Sequence, residues 1–253
     1  AAPITGANAA NYTITLTGAP TATANITPKE LTIAGSFTAD NKVYDGTTAA
    51  TIASNNLTLT GLISGDTVSI NTATAAVNFA DHNVGTAKVV SLSNATLTGA
   101  NASNYTITLT GAPTTTANIT PKELTIAGSF TADNKVYDGT TAATIASNSL
   151  TLAGLISGDT VSINTTSTTA TFGDRNVGTA KAVSLTATAL TGANAANYTI
   201  TLTGAPTTSA NITPKELTIA GSFTASNKVY DGTTAATIAS NSLTLTGLIS
   251  GDT

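Results

Sequence analysis

Asn41-Lys42-Val43-Tyr44-Asp45-Gly46-Thr47-Thr48-Ala49-Ala50-Thr51-Ile52 returns without a single change at 134–145 and again at 227–238. Tyr44, Tyr137 and Tyr230 therefore stand 93 residues apart. A second marker keeps the same interval: Asn11-Tyr12-Thr13-Ile14-Thr15-Leu16 recurs at Asn104 and at Asn197. A fixed period of this length marks a tandem array, in which one supersecondary unit is repeated and stacked. The chain reads as a partial repeat over 1–27, whole repeats over 28–120 and 121–213, and a further partial repeat over 214–253.

Outward from that stretch, short apolar–polar alternations dominate. Leu31-Thr32-Ile33, Leu57-Thr58-Leu59-Thr60, Val68-Ser69-Ile70 and Tyr105-Thr106-Ile107-Thr108-Leu109 each send alternate side chains to opposite faces. Ala75 to Phe79, Ala87 to Leu92 and Ala117 to Ile119 extend the series. About seven or eight short strands per repeat, with turn signals every 8–12 residues or so, predict an all-β sandwich. No stretch has helical periodicity; the alanines between Thr47 and Ser54 come closest, and the hydroxyl residues among them argue against it. Threonine, β-branched and suited to a pleated surface, covers the strand faces. Asp45-Gly46, Gly65-Asp66, Asn83-Val84-Gly85 and Gly111-Ala112-Pro113 supply the turns. Ile26-Thr27-Pro28-Lys29-Glu30, repeated at 119–123 and 212–216, joins one repeat to the next. It is too short to be a flexible linker, and its proline fixes φ.

Composition narrows the function. Charged residues make up 9% of the 253, and the formal net charge is −4. No basic stripe interleaved with aromatics is present, so the electrostatic footprint of nucleic-acid binding is missing. No apolar run is long enough to span a bilayer as a helix, which predicts no membrane insertion. Nothing reads as a secretory signal, although a chain that opens within a repeat gives that little weight. Cysteine, methionine, tryptophan and glutamine are absent, which excludes disulfides, thiolate metal sites and Thr–Gln ester cross-links. Freedom from oxidisable side chains suits an exported protein. Asn-X-Thr triplets such as Asn25-Ile26-Thr27 lie within apparent strands, where glycosylation would be disruptive, and favour a bacterial source.

Lys42-Val43-Tyr44-Asp45-Gly46-Thr47-Thr48, then Phe79-Ala80-Asp81-His82-Asn83-Val84-Gly85-Thr86-Ala87-Lys88, then Gly99 to Thr106, then Ile119-Thr120-Pro121-Lys122 resemble the YDG-domain repeat. That family occurs, beside the related MBG repeats, in large bacterial surface and secreted proteins similar to filamentous-haemagglutinin adhesins. The resemblance implies tandem immunoglobulin-like β-sandwich modules arranged as a rod or fibre. It implies a bacterial extracellular or cell-surface location and no catalytic residues. The expected function is a structural repeat array: the stalk or fibre of an adhesin or matrix filament, with other copies of the chain as partners. The alternative is a multivalent binding module whose loops meet a glycan or host receptor. Because a partial repeat cannot bury its own apolar face, either a longer chain or strands from another chain would complete the two ends.

The candidate sites follow from the residue types. His82, the only histidine, is replaced by Arg175 in the next repeat and reads as a solvated loop residue. Asp45, Asp66 and Asp81 recur as Asp138, Asp159 and Asp174, while Asp40 recurs as Asp133 and then becomes Ser226. Gathered together they would suit Ca²⁺; isolated beside glycine or asparagine, they read as turn formers. Lys42, Asn83 and Asp45 or Asp81 are the kinds of residue that form Lys–Asn isopeptide bonds, but Lys42 reads as a surface side chain with its charge in water. Tyr44 and Phe79 read as core rings in preference to a sugar-stacking pair. Tyr105, opening a strand after Asn101-Ala102-Ser103-Asn104, reads as a tyrosine corner. No catalytic, cofactor-binding or metal-binding residue is expected.

Overall fold

The computed structural model describes residues 3–252 and is all-β, half of it strand and 4% helical, with sheets that curl into near-barrels. Two compact units are present. One comprises the chain up to Thr38 with Ile52–Val77 and Ser91–Thr115; the other comprises Ala39–Thr51, Asn78–Val90 and everything from Thr116 onward.

The second unit contains the whole of the second repeat. Its strands are β1 (Lys122–Ala132), β2 (Lys135–Val136), β3 (Ala142–Ala143), β4 (Ile145–Ala153), β5 (Ser162–Phe172), β6 (Gly178–Thr191), β7 (Tyr198–Thr201) and β8 (Thr207–Thr213). One sheet has the order β4-β1-β7 and the other β2-β8-β6-β5-β3. Most neighbours are antiparallel, but β1 runs parallel to β7 (Lys122 opposite Tyr198), and β2 runs parallel to β8 (Lys135 opposite Ile212). The alanine-rich segment that came closest to a helix is strand, continuing into β3 and β4. The helical content consists of single 3-10 turns, such as Ala195–Asn197 just ahead of β7.

Alternation decides what each strand buries. Leu124, Ile126 and Phe130 of β1 point inward, as do Ala170 and Phe172 of β5, Val183 and Leu185 of β6, and Ala210 and Ile212 of β8. Both sheets thus contribute to one core. Each such Leu, Ile, Val or Phe stabilises the fold by about 1.5–3 kcal/mol through burial. Threonine and serine occupy the outer face and pair across strands, as in the 2.6 Å contact of Thr131 Oγ1 with Ser147 Oγ. Phe79 of the first repeat is buried like its counterpart Phe172, in keeping with the core reading.

The first unit shows the same opening. Lys29–Ala39 runs parallel to Tyr105–Thr108, with Lys29 opposite Tyr105 and Leu31 opposite Ile107. Leu31, Ile33 and Phe37 are buried from that strand. The repeats differ where their sequences do. After Ser69–Ile70 the chain turns, with Asn71 Oδ1 accepting from Ala73 N–H and the Asn71 carbonyl from Ala75 N–H. In the second repeat, where threonines replace Ala73 and Ala75, the segment is strand throughout but bulges between Asn164 and Thr169, with Asn164 Oδ1 accepting from Thr166 N–H.

Candidate functional site

The repeated Lys-Val-Tyr-Asp-Gly segment forms a closed loop because its lysine turns back into it. Lys42 Nζ donates to Asp45 Oδ1 (2.7 Å), the Thr47 carbonyl (2.8 Å), Thr47 Oγ1 (3.1 Å) and the Ala49 carbonyl (2.9 Å). It also sits 5.7 Å from the centroid of the Phe79 ring. This corrects the expectation of a solvated lysine: the ammonium is half-buried and held within the loop. Lys135 repeats the arrangement with Asp138, Thr140 and Ala142. Hydrogen bonds from Lys135, and then from Thr140, hold the Asp138 carboxyl down at about 2.

The clasped loop turns Tyr44 out of its own repeat. Its ring is 1% exposed, covered by groups of the second repeat within the same compact unit. The Tyr44 hydroxyl donates to Asp159 Oδ2 at 2.9 Å, and its ring meets Tyr198 edge-on at 5.4 Å and 77°. Tyr198 also donates to Asp159 Oδ2, while its oxygen accepts from Ile156 N–H at 3.1 Å. One carboxylate oxygen thus receives two tyrosine hydroxyls. Beside this pair Asn197, 4% exposed, accepts from Val84 N–H at 2.9 Å and donates to Asn83 Oδ1 at 3.2 Å. A Cβ on Gly46 would come within 3.1 Å of Ile156 Cγ2, so the loop tip also lies close against the turn before Asp159.

The contact recurs one period later. Tyr137 and Asp252 line one cleft, the Asp252 carboxyl pushes the Tyr137 phenol up, and a Cβ on Gly139 would meet Ile249 Cγ2 at 2.8 Å. The core reading of Tyr44 is therefore right about burial but incomplete about its cause. The ring fills the joint with the following repeat.

Burial first, and then the hydrogen bond to Asp159, push the Tyr198 phenol up to about 12 and raise that of Tyr44 as well. A phenol whose folded value exceeds the unfolded one contributes stability that is complete below about pH 10 and is lost as pH climbs through about 12. Absorbance at about 295 nm, where tyrosinate absorbs, is expected to show a late ionisation step between those limits. Tyr198→Phe should remove it. A wild-type titration complete well before the upper limit would count against the buried pair.

The remaining candidates are placed as follows. His82 is not simply solvated: its ring lies 6.2 Å from that of Tyr44, tilted by 44°, and its successor Arg175 lies near Tyr137. Asp45 pairs with Lys42, Asp81 with Lys88 at 2.6 Å, and Asp66 accepts from Tyr105. Asp174 pairs with Lys181, and Asp138 with Lys135. Asp40 and Asp133 donate their backbone N–H groups to Thr51 and Thr144. Among the described residues, no three His, Asp or Glu side chains gather where a cation could be held. Asn83 meets Asn197 and not Lys42, so the Lys42–Asn83 cross-link is not assembled. Tyr105 does reach upstream as a tyrosine corner would, to Ile63 N–H at 3.2 Å and to the Asp66 carboxylate.

Sequence reasoning missed Asn197 and the double role of Asp159. Their only signal was the unchanged Asn-Tyr and Gly-Asp pairs in successive copies. A comparison with curated proteins found no match, and a comparison with solved structures found none either. The family model for the YDG domain matches residues 27–116, 120–209 and 213–253, each match carrying its own clasped Lys-Val-Tyr-Asp-Gly loop. The chain belongs to the YDG domain family, of which it carries tandem copies.

Proposed function

We propose that this chain is part of a structural repeat array, the stalk or fibre of a bacterial extracellular adhesin or matrix filament, with no catalytic role of its own. The observation that carries the reading is the joint in which Tyr44 bonds Asp159, with the Tyr137 loop lying against the turn of Ile249 and Asp252 in the same way one period later. Its residues recur in every copy, so any number of repeats can be added without new chemistry. The buried aromatic pair and partnered polar groups at the Tyr44 joint suit a spacer that must not bend freely. In arrays of two, four and six repeats, the maximum dimension measured by small-angle scattering is expected to grow by a constant step. About 35–45 Å per repeat follows from ~3.3 Å per strand residue. Growth with the square root of repeat number, as for beads on a flexible chain, would refute the stalk.

A second reading, the multivalent binding module, draws on the first repeat's turn after Ser69–Ile70, where the second repeat has a bulged strand of different sequence. Copies that differ there would present different surfaces to a glycan or host receptor. Loss of surface binding after exchange of that segment between repeats would favour this second reading.

A further inference from the structure

Tyr44 and Tyr198 are placed for chemistry as well as for packing. Their ring centroids lie 5.4 Å apart, and both hydroxyls donate to the same atom, Asp159 Oδ2. Each ring carbon ortho to a hydroxyl is two bonds from that oxygen, so phenols that converge on one carboxylate oxygen bring their ortho carbons together. Among the described residues, these are the only two tyrosine rings in contact. Both are buried, whereas Asp159 is only half-buried and can exchange protons with water. Composition directs oxidation to such a pair. Cysteine, methionine and tryptophan are absent, which leaves the six tyrosines as the side chains that give up an electron most readily. Without cysteine, no disulfide can tie one repeat to the next.

We infer that Tyr44 and Tyr198 are a site of oxidative cross-linking, joined ortho to ortho as dityrosine, with Asp159 accepting the phenol protons. The inference goes beyond the stalk reading and stands on the geometry of the joint alone. The oxidant is hydrogen peroxide or another acceptor of single electrons, supplied from outside the chain. Each ring loses one electron, and its hydroxyl proton passes along the existing hydrogen bond to Asp159 and from there to water. The two phenoxyl radicals then form one carbon–carbon bond. The hydrogen on each newly joined carbon moves to the oxygen of its own ring and restores the phenol. In all, two electrons and two protons leave, which reduces one hydrogen peroxide to two waters. Giving up the proton with the electron avoids a cation radical in an apolar site, where an unpaired charge is costly. Burial keeps water from the radicals, so the neighbouring ring is the partner at hand. The 77° between the ring planes suits the product, since rings linked beside their hydroxyls stand twisted. An electron leaves a buried ring by tunnelling, so the oxidant need not touch it.

Illumination of the full chain with a ruthenium tris-bipyridyl photo-oxidant and persulfate tests this. The expected product is a monomer lighter by two hydrogens, with the blue fluorescence of dityrosine and a yield independent of protein concentration. Peptide mapping should find the Tyr44 and Tyr198 peptides joined. Tyr44→Phe and Tyr198→Phe should each abolish that link. Asp159→Asn, checked by circular dichroism to be folded, keeps both rings but lacks the base. It should form the link about a hundredfold more slowly, the lower end of what a positioned proton acceptor contributes. Coupling only between chains, a mapped link at other tyrosines, or an Asp159→Asn rate equal to the wild type would overturn the inference. No link in arrays whose scattering dimension still grows by a constant step would sink the cross-link and leave the stalk. A link in arrays that grow with the square root of repeat number would do the reverse.

Discussion

Asp159→Ala is expected to destabilise the second compact unit by about 3 kcal/mol. An unpaired buried donor costs about 1–3 kcal/mol, and this substitution orphans two at once, the hydroxyls of Tyr44 and Tyr198. Asp66→Ala, the same replacement one period earlier, removes the acceptor of Tyr105 alone and should cost about half as much. The pair of variants separates the contribution of the joint from that of the turn. Urea unfolding of the full chain, followed through tyrosine fluorescence, should place the midpoint of Asp159→Ala clearly below that of Asp66→Ala, with slopes unchanged. Equal midpoints would mean that the Tyr44 hydroxyl contributes nothing to stability.

Gly128→Ala is expected to be comparably damaging, for a reason that lies wholly in the backbone. Gly128 has φ +85° in the middle of β1, and a Cβ there would lie 2.3 Å from the Ser149 carbonyl oxygen of the paired strand β4. Left-handed backbone costs an L-residue about 1–2 kcal/mol, and displacing a hydrogen-bonded neighbour adds about as much again, for a total of about 3 kcal/mol. Gly173→Ala is the control: its nearest neighbour would be the Ala182 carbonyl oxygen at 4.0 Å. That change should leave the thermal midpoint within a degree or two, corresponding to a few tenths of a kcal/mol. A Gly128→Ala protein as stable as the control would show that the two strands can part without penalty.

Much of the fold was legible in the sequence because alternation and turn residues act locally. Leu31-Thr32-Ile33 has only one way to lie across a half-buried sheet, and Asp45-Gly46 closes a tight loop wherever it stands. The parallel pairing of β1 with β7 was not legible, since residues 76 positions apart carry no local mark of their register. Nor was the destination of Tyr44. In an array of near-identical copies, a residue conserved for packing in its own repeat and one conserved for packing on the next look alike. Burial was predictable from the ring itself, whereas the covering repeat became evident only from Asp159 and Tyr198 in space. Lys42 was misread for a related reason: an isolated lysine among small polar residues looks solvated until the chain folds back and offers it the carbonyls of Thr47 and Ala49.

The distance along the chain between Tyr44 and its acceptor has a consequence for how such an array matures. The tyrosine precedes Asp159 by 115 residues, more than one full period. During synthesis or export with the N-terminus leading, each clasped loop emerges well before the carboxylate that will receive it. Each tyrosine contact, though not the lysine clasp, must therefore wait for the next repeat. Joint formation then advances in one direction along the array, from the first repeat made to the last.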